Sequence, residues 1–156
     1  MKKDYSFALK FLVIFAVLYL IVFLADTKGI ENNLAELEGQ LTGVNVQGNQ
    51  LNVNGNNLEI NYSCTGLFST ILIIALVFSL RKPEIDKKLY IIVVSVIVLM
   101  LFNVLRVFMV IETAKNDFSL ASNVHVIGWF ISTLLVLGLW YYLTKKFTGK
   151  KLNKLI

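Results

Sequence analysis

The chain has 156 residues, is 56% hydrophobic and only 16% charged, and carries one proline and a formal net charge of +5. So few charges cannot cover a water-soluble domain of this size, which excludes that class. The basic residues fall in three separate segments without a nucleic-acid-binding motif, so membrane anchoring explains them and no nucleic acid partner is expected.

Four apolar runs, 7–25, 64–80, 89–111 and 124–143, approach the roughly 20 residues that span a bilayer. Without water to satisfy the backbone, such runs must be helical. The fold class expected is therefore an all-α integral membrane protein. A four-transmembrane-helix bundle would form a single membrane domain over 1–156.

The first run follows Lys2 and Lys3, as a signal peptide would. It closes on Phe23-Leu24-Ala25, without the small-x-small cleavage pattern, and is read as a retained helix. Residues 26–63 then form a polar extracytoplasmic insertion between helices 1 and 2. Asp26 and Thr27 can cap a helix, and Ile30, Leu34, Leu37 and Leu41 recur at helical spacing, which predicts a short amphipathic helix lying on the membrane.

A seven-residue repeat follows: VNVQGNQ, LNVNGNN, LEINYSC. Val44/Val46, Leu51/Val53 and Leu58/Ile60 alternate with polar residues, and Gly-Asn pairs fall between them. Period two with such turns predicts a three-stranded meander. Its edge either stabilises the entry to helix 2 or receives an extended peptide. The meander leads directly to Cys64, the only cysteine. Asn61-Tyr62-Ser63 matches a glycosylation acceptor but lies too close to the membrane to favour modification.

Charge sets the expected orientation. The N-terminal segment (Lys2, Lys3 and Lys10 against Asp4), residues 81–88 and the tail (Lys145, Lys146, Lys150, Lys151, Lys154) carry +2, +2 and +5. Residues 26–63 and 112–123 carry −4 and −1. Basic loops stay inside, so both termini and 81–88 face the cytoplasm. Cys64 then opens helix 2 at the outer side, His125 opens helix 4 there, and Arg106 lies roughly 7–8 Å of helical rise below the outer end of helix 3. Singly, each has an ordinary role: a small hydrophobe, an interfacial polar group, a snorkelling cation. Together, from three helices at one level, they point to a site. Asn103 shares the face of Arg106. Gly128 and Ser132 share the face of His125 and suit close helix approach, while Trp129, Trp140, Tyr141 and Tyr142 suit interfacial belts.

A thiol is nucleophilic as thiolate, which a neighbouring cation favours. His125 can take the thiol proton and return it to a leaving amine, and Arg106 can hold an oxyanion. One Cys and one His are too few for zinc, and no glycine-rich phosphate loop occurs, so no metal or cofactor is expected.

The strings NYSCTGLFS, FNVLRVF and NVHVIGWF resemble the exosortase/archaeosortase family of polytopic transpeptidases over about residues 43–133. The resemblance matches Cys64 with Thr65 and Gly66 to a C-[ST]-G motif, Asn103 and Arg106 to N-x-x-R, and His125 to the histidine of the next helix. It implies a catalytic Cys64, Arg106 and His125, supported by Asn103, Thr65 and Gly66. The activity implied is cleavage of a C-terminal sorting signal on exported proteins through a thioacyl intermediate, with transfer to an amine acceptor such as a lipid. Many relatives have more spans, so this chain reads as a minimal core. The alternative is a non-catalytic membrane binding or assembly module in which the polar trio only knits helices together. A protease that transfers its product to water would use the same residues.

Overall fold

A computed structural model describes residues 2–149, with the side chains of 5–149, and is mostly helical. Expectations resting on the side chains of Lys2, Lys3 and Asp4, and on Lys150, Lys151 and Lys154, lie outside the described residues.

Helices α1 (Lys2–Leu24), α4 (Ile85–Asn116) and α5 (Phe118–Thr148) are long and apolar enough to cross a membrane. Helices α4 and α5 outrun the apolar segments 89–111 and 124–143 at both ends, since no proline interrupts the polar flanks. The run 64–80 behaves differently. Its first residues form a 3-10 turn, Tyr62–Cys64, and Gly66 takes φ 78°, a left-handed conformation that a helix cannot continue. Helix α3 (Leu67–Ser79) therefore has 13 residues. It rises about 20 Å, less than the roughly 30 Å of hydrocarbon. By length and composition three helices qualify as spans, and α3 is a shorter apolar helix.

Contacts divide the chain into two units. One comprises, among the described residues, 2–25, 68–99 and 133–149. Its core gathers Ile73, Leu76 and Val77 of α3, Ile91 and Leu99 of α4, and Val136 and Leu143 of α5. Helix α1 adds aromatic contacts, with Phe7 stacked on Trp140 and Phe15 edge-on to Phe68. Trp140 thus packs against the core with its Nε1 buried, whereas Tyr141 and Tyr142 are exposed as belt residues would be.

The second unit, residues 26–67 and 100–132, carries the small elements. Helix α2 (Lys28–Thr42) precedes strands β1 (Asn45–Gln47), β2 (Gln50–Val53) and β3 (Asn56–Glu59), which form an antiparallel meander in the order β1-β2-β3. Three short strands are marginal alone. Here Leu51, Val53 and Ile60 are fully buried with Ala35, Cys64, Val107, Val110 and Ile111, and each buried aliphatic side chain is worth about 1.5–3 kcal/mol. That burial anchors the sheet.

Helix α2 leaves most of its apolar stripe uncovered and buries the opposite face. Ile30, Leu37 and Leu41 are exposed, while Glu31, Ala35, Glu38, Gly39 and Thr42 are buried. Thr27 stands at the N-cap without capping the backbone; its hydroxyl donates to Glu31 Oε1 at 2.8 Å. Asp26 Oδ1 instead accepts from the Lys28 amide at 3.0 Å. Glu38 is fully buried, and neither carboxylate oxygen has a hydrogen-bond partner. Burial pushes its pKa up from 4.5 to about 7.

Candidate active site

Every expected site residue belongs to the second unit. The site begins where β3 ends. Asn61 caps the 3-10 turn: its Oδ1 accepts from the Ser63 amide at 3.0 Å and the Ser63 hydroxyl at 2.5 Å. The turn closes with Cys64 N donating to Asn61 O at 2.8 Å. Thr65 Oγ1 donates to Tyr62 O at 2.7 Å and accepts from the Leu67 amide at 3.4 Å, joining the turn to α3. Cys64 is thereby held at the end of a 3-10 turn rather than in α3, buried and free of any disulfide.

Gly66 is required twice. Its backbone is left-handed, and a Cβ there would lie 3.1 Å from Cγ of Asn103. The close approach lets Asn103 Nδ2 donate to the main-chain carbonyl of Cys64 at 2.6 Å. Asn103 Oδ1 in turn accepts from Nη2 of Arg106 at 3.0 Å. One amide thus links the turn that carries Cys64 to a buried guanidinium.

Arg106 is 6% exposed, and its Nε has no hydrogen-bond partner. A buried, unpaired donor of a cation is costly unless something else is meant to meet it. The charge of Arg106 is within electrostatic range of both Cys64 and His125. Gly128, one turn beyond His125 on α5, makes room for it: a Cβ there would fall 2.6 Å from Cγ and 2.8 Å from Cδ of Arg106. Ser132 points back along its own helix to Gly128 O at 2.8 Å.

His125 is half-buried, and its ring lies 6.5 Å from that of Trp129. His125 and Cys64 both line a cavity of about 280 Å³. Leu58, Ile60, Val107, Val110, Phe118 and Ala121 make the apolar part of its wall, and Glu59, Asn61, Ser63 and Ser122 add polar groups. The structure therefore brings Cys64, Asn103 and Arg106 into one hydrogen-bonded relay, and His125 lines the same cavity as Cys64. Thr65 and Gly66 shape the turn.

Glu112 and Asp117 are occupied elsewhere. Glu112 pairs with Lys115 at 2.5 Å. Asp117 Oδ1 accepts from the Ser119 hydroxyl at 2.6 Å and its amide at 2.9 Å, bonds that hold its pKa below the ordinary carboxylate value. The capping role of Asn61 and the seat for Arg106 at Gly128 are additions to the sequence reading. An Asn two residues before a Ser signalled the first; a glycine three residues after the only histidine signalled the second.

No group of three or more His, Cys, Asp or Glu side chains among the described residues has the arrangement of a metal site. Residues 3–141 match the family described as transmembrane exosortase (Exosortase_EpsH). No curated protein and no solved structure matches the chain.

Proposed function

The chain belongs to the transmembrane exosortase family, and from that premise we propose that it is a membrane cysteine transpeptidase acting on the C-terminal sorting signal of exported proteins. The observation that carries the reading is the relay from the Cys64 carbonyl through Asn103 to Arg106, beside a cavity that Cys64 shares with His125.

In this reading His125 removes the Cys64 thiol proton, and the thiolate attacks the scissile carbonyl carbon. The carbonyl oxygen becomes an oxyanion, and the buried guanidinium of Arg106, whose Nε has no hydrogen-bond partner, supplies the positive charge that stabilises it. Collapse breaks the C–N bond, and the leaving amine takes the proton from His125. The thioester on Cys64 is then attacked by an amine acceptor, such as a lipid amine, which returns a proton through His125 and frees the thiol. Asn103 holds Arg106 and the Cys64 turn in register; Thr65 and Gly66 keep that turn in shape.

The reading takes α3 as a fourth, short crossing, which places both termini in the cytoplasm and the site at the outer face. Residues 26–63 are then extracytoplasmic, and the exposed Ile30, Leu37 and Leu41 stripe of α2 meets lipid. The test is processing of an exported protein bearing a C-terminal sorting signal and encoded beside this chain. Cys64→Ala should abolish processing while membrane insertion persists. Undiminished processing would leave the polar relay with the role of a helix tie in a non-catalytic module.

A further inference from the structure

Strand β3 is an edge strand, and its register shows which backbone groups it leaves open. The β2-β3 turn, Val53-Asn54-Gly55-Asn56, has φ 53° at Asn54 and 84° at Gly55, the two-residue I′ geometry that closes on a hydrogen-bonded Val53–Asn56 pair. Bonded and non-bonded pairs alternate along an antiparallel ladder. Leu51–Leu58 is therefore a bonded pair, and Ile60 N does donate to Asn49 O at 2.8 Å. It follows that the N–H and C=O of Asn57 and Glu59 point away from β2. They meet no backbone partner among the described residues.

The open edge faces the cavity. A strand sends alternate side chains to opposite faces, so Leu58 and Glu59 of β3 face opposite sides, yet both line this cavity. Ile60, Asn61 and Cys64, just beyond the end of β3, line it too. The cavity therefore reaches the open edge of β3 at Glu59.

We propose that this edge is the substrate-docking strand: an extended peptide adds to β3 through the N–H and C=O of Glu59 and seats an apolar side chain among Leu58, Ile60, Val107, Val110, Phe118 and Ala121, next to Cys64. The inference rests on the reading of Cys64 as nucleophile for its consequence, but not for its geometry. Backbone pairing supplies affinity for any sequence in extended form. The side-chain wall supplies selection, and it favours aliphatic residues. The Glu59 carboxylate, whose Oε1 accepts from Asn49 Nδ2 at 3.3 Å, disfavours an acidic residue beside it.

The experiment uses the full chain in detergent micelles with acetyl-tetrapeptide chloromethyl ketones, which alkylate a thiol with loss of chloride. Leu stands at alternate positions in two registers, each compared with an Asp counterpart. Iodoacetamide, too small to reach the strand, reports the thiol alone. One Leu register should react at Cys64 at least about tenfold faster than its Asp counterpart, and N-methylation at one alternate amide should remove about fivefold to tenfold, the loss of one hydrogen bond. Glu59→Pro, tolerated on an edge where the lost N–H points outward, should slow the Leu reagent similarly when normalised to iodoacetamide. Leu and Asp reagents of equal rate, or no effect of N-methylation, would overturn the docking strand while leaving a reactive Cys64 intact. If Cys64 reacts with nothing, a photo-leucine version of the peptide on Cys64→Ala decides. Crosslinks to the six wall residues would keep the docking strand and remove the nucleophile. Their absence would remove both.

Discussion

Asn103 Nδ2 donates to the main-chain carbonyl of Cys64 at 2.6 Å, and its Oδ1 accepts from Arg106 at 3.0 Å. A single buried amide therefore fixes a turn and a cation at once. Asn103→Leu keeps the branched side-chain shape but strands a buried carbonyl and a guanidinium, a loss of about 1–3 kcal/mol for each group left unpaired. Processing of the cognate exported protein should fall at least about tenfold while helix content by circular dichroism is unchanged. Full processing would show that the relay is dispensable.

Gly128 tests the seat of Arg106 without touching any polar group. A methyl group there would come within 2.6 Å of Cγ, on the stem of the side chain rather than its flexible end. The Gly128→Ala variant gains helix propensity of about 1 kcal/mol in its own helix yet should lose processing at least about tenfold, because Arg106 must leave its rotamer. Gly138→Ala, on the same helix with open space around it, is the matched control and should process normally. Equal activity of both variants would contradict the packing argument.

Arg106 offers two donors in one plane, which lysine cannot copy. Arg106→Lys should insert in membranes and retain helix content but lose most turnover, measured as processed product per enzyme. Near-normal turnover would reduce Arg106 to a structural role.

Much of this site was legible because the surrounding sequence is so apolar. Against runs of Leu, Ile and Val, a lone Cys64, Asn103, Arg106 and His125 stand out, and the meander announced itself by three alternating pairs, Val44/Val46, Leu51/Val53 and Leu58/Ile60, separated by Gly-Asn turns. The start of α3 was not legible, because apolarity over 64–66 says nothing about the φ of Gly66. Nor was the buried face of α2. Helical spacing of Ile30, Leu34, Leu37 and Leu41 marks an apolar stripe but does not say which polar residues the protein buries on the other side. Here Ile30, Leu37 and Leu41 lie uncovered, and the protein buries Glu31 and Glu38 instead.

The burial of Glu38 gives a pH dependence. The Glu38 carboxyl sits at about 7 in the folded chain against 4.5 when unperturbed. A raised pKa means that the folded state holds its proton more tightly than the unfolded state does. The stability of the second unit should be greatest below about pH 4.5, fall as pH rises through about 7, and level off above it. The total decline is roughly 3 kcal/mol at 1.36 kcal/mol per pKa unit. Hydrogen exchange of amides in α2 and the meander, compared between wild type and Glu38→Gln, reads it out. The substitution should flatten the pH profile; an unchanged profile would show that Glu38 is not the titrating group.

The central claim is that Cys64 carries the substrate as a thioester. Intact-protein mass spectrometry after rapid acid quench, with the exported protein as substrate, measures it directly. The wild-type chain should show an added mass equal to the substrate's N-terminal fragment, labile to hydroxylamine, and the Cys64→Ala chain should show none. Cleaved substrate accompanied by no adduct on wild type, or by full cleavage on Cys64→Ala, would contradict the account.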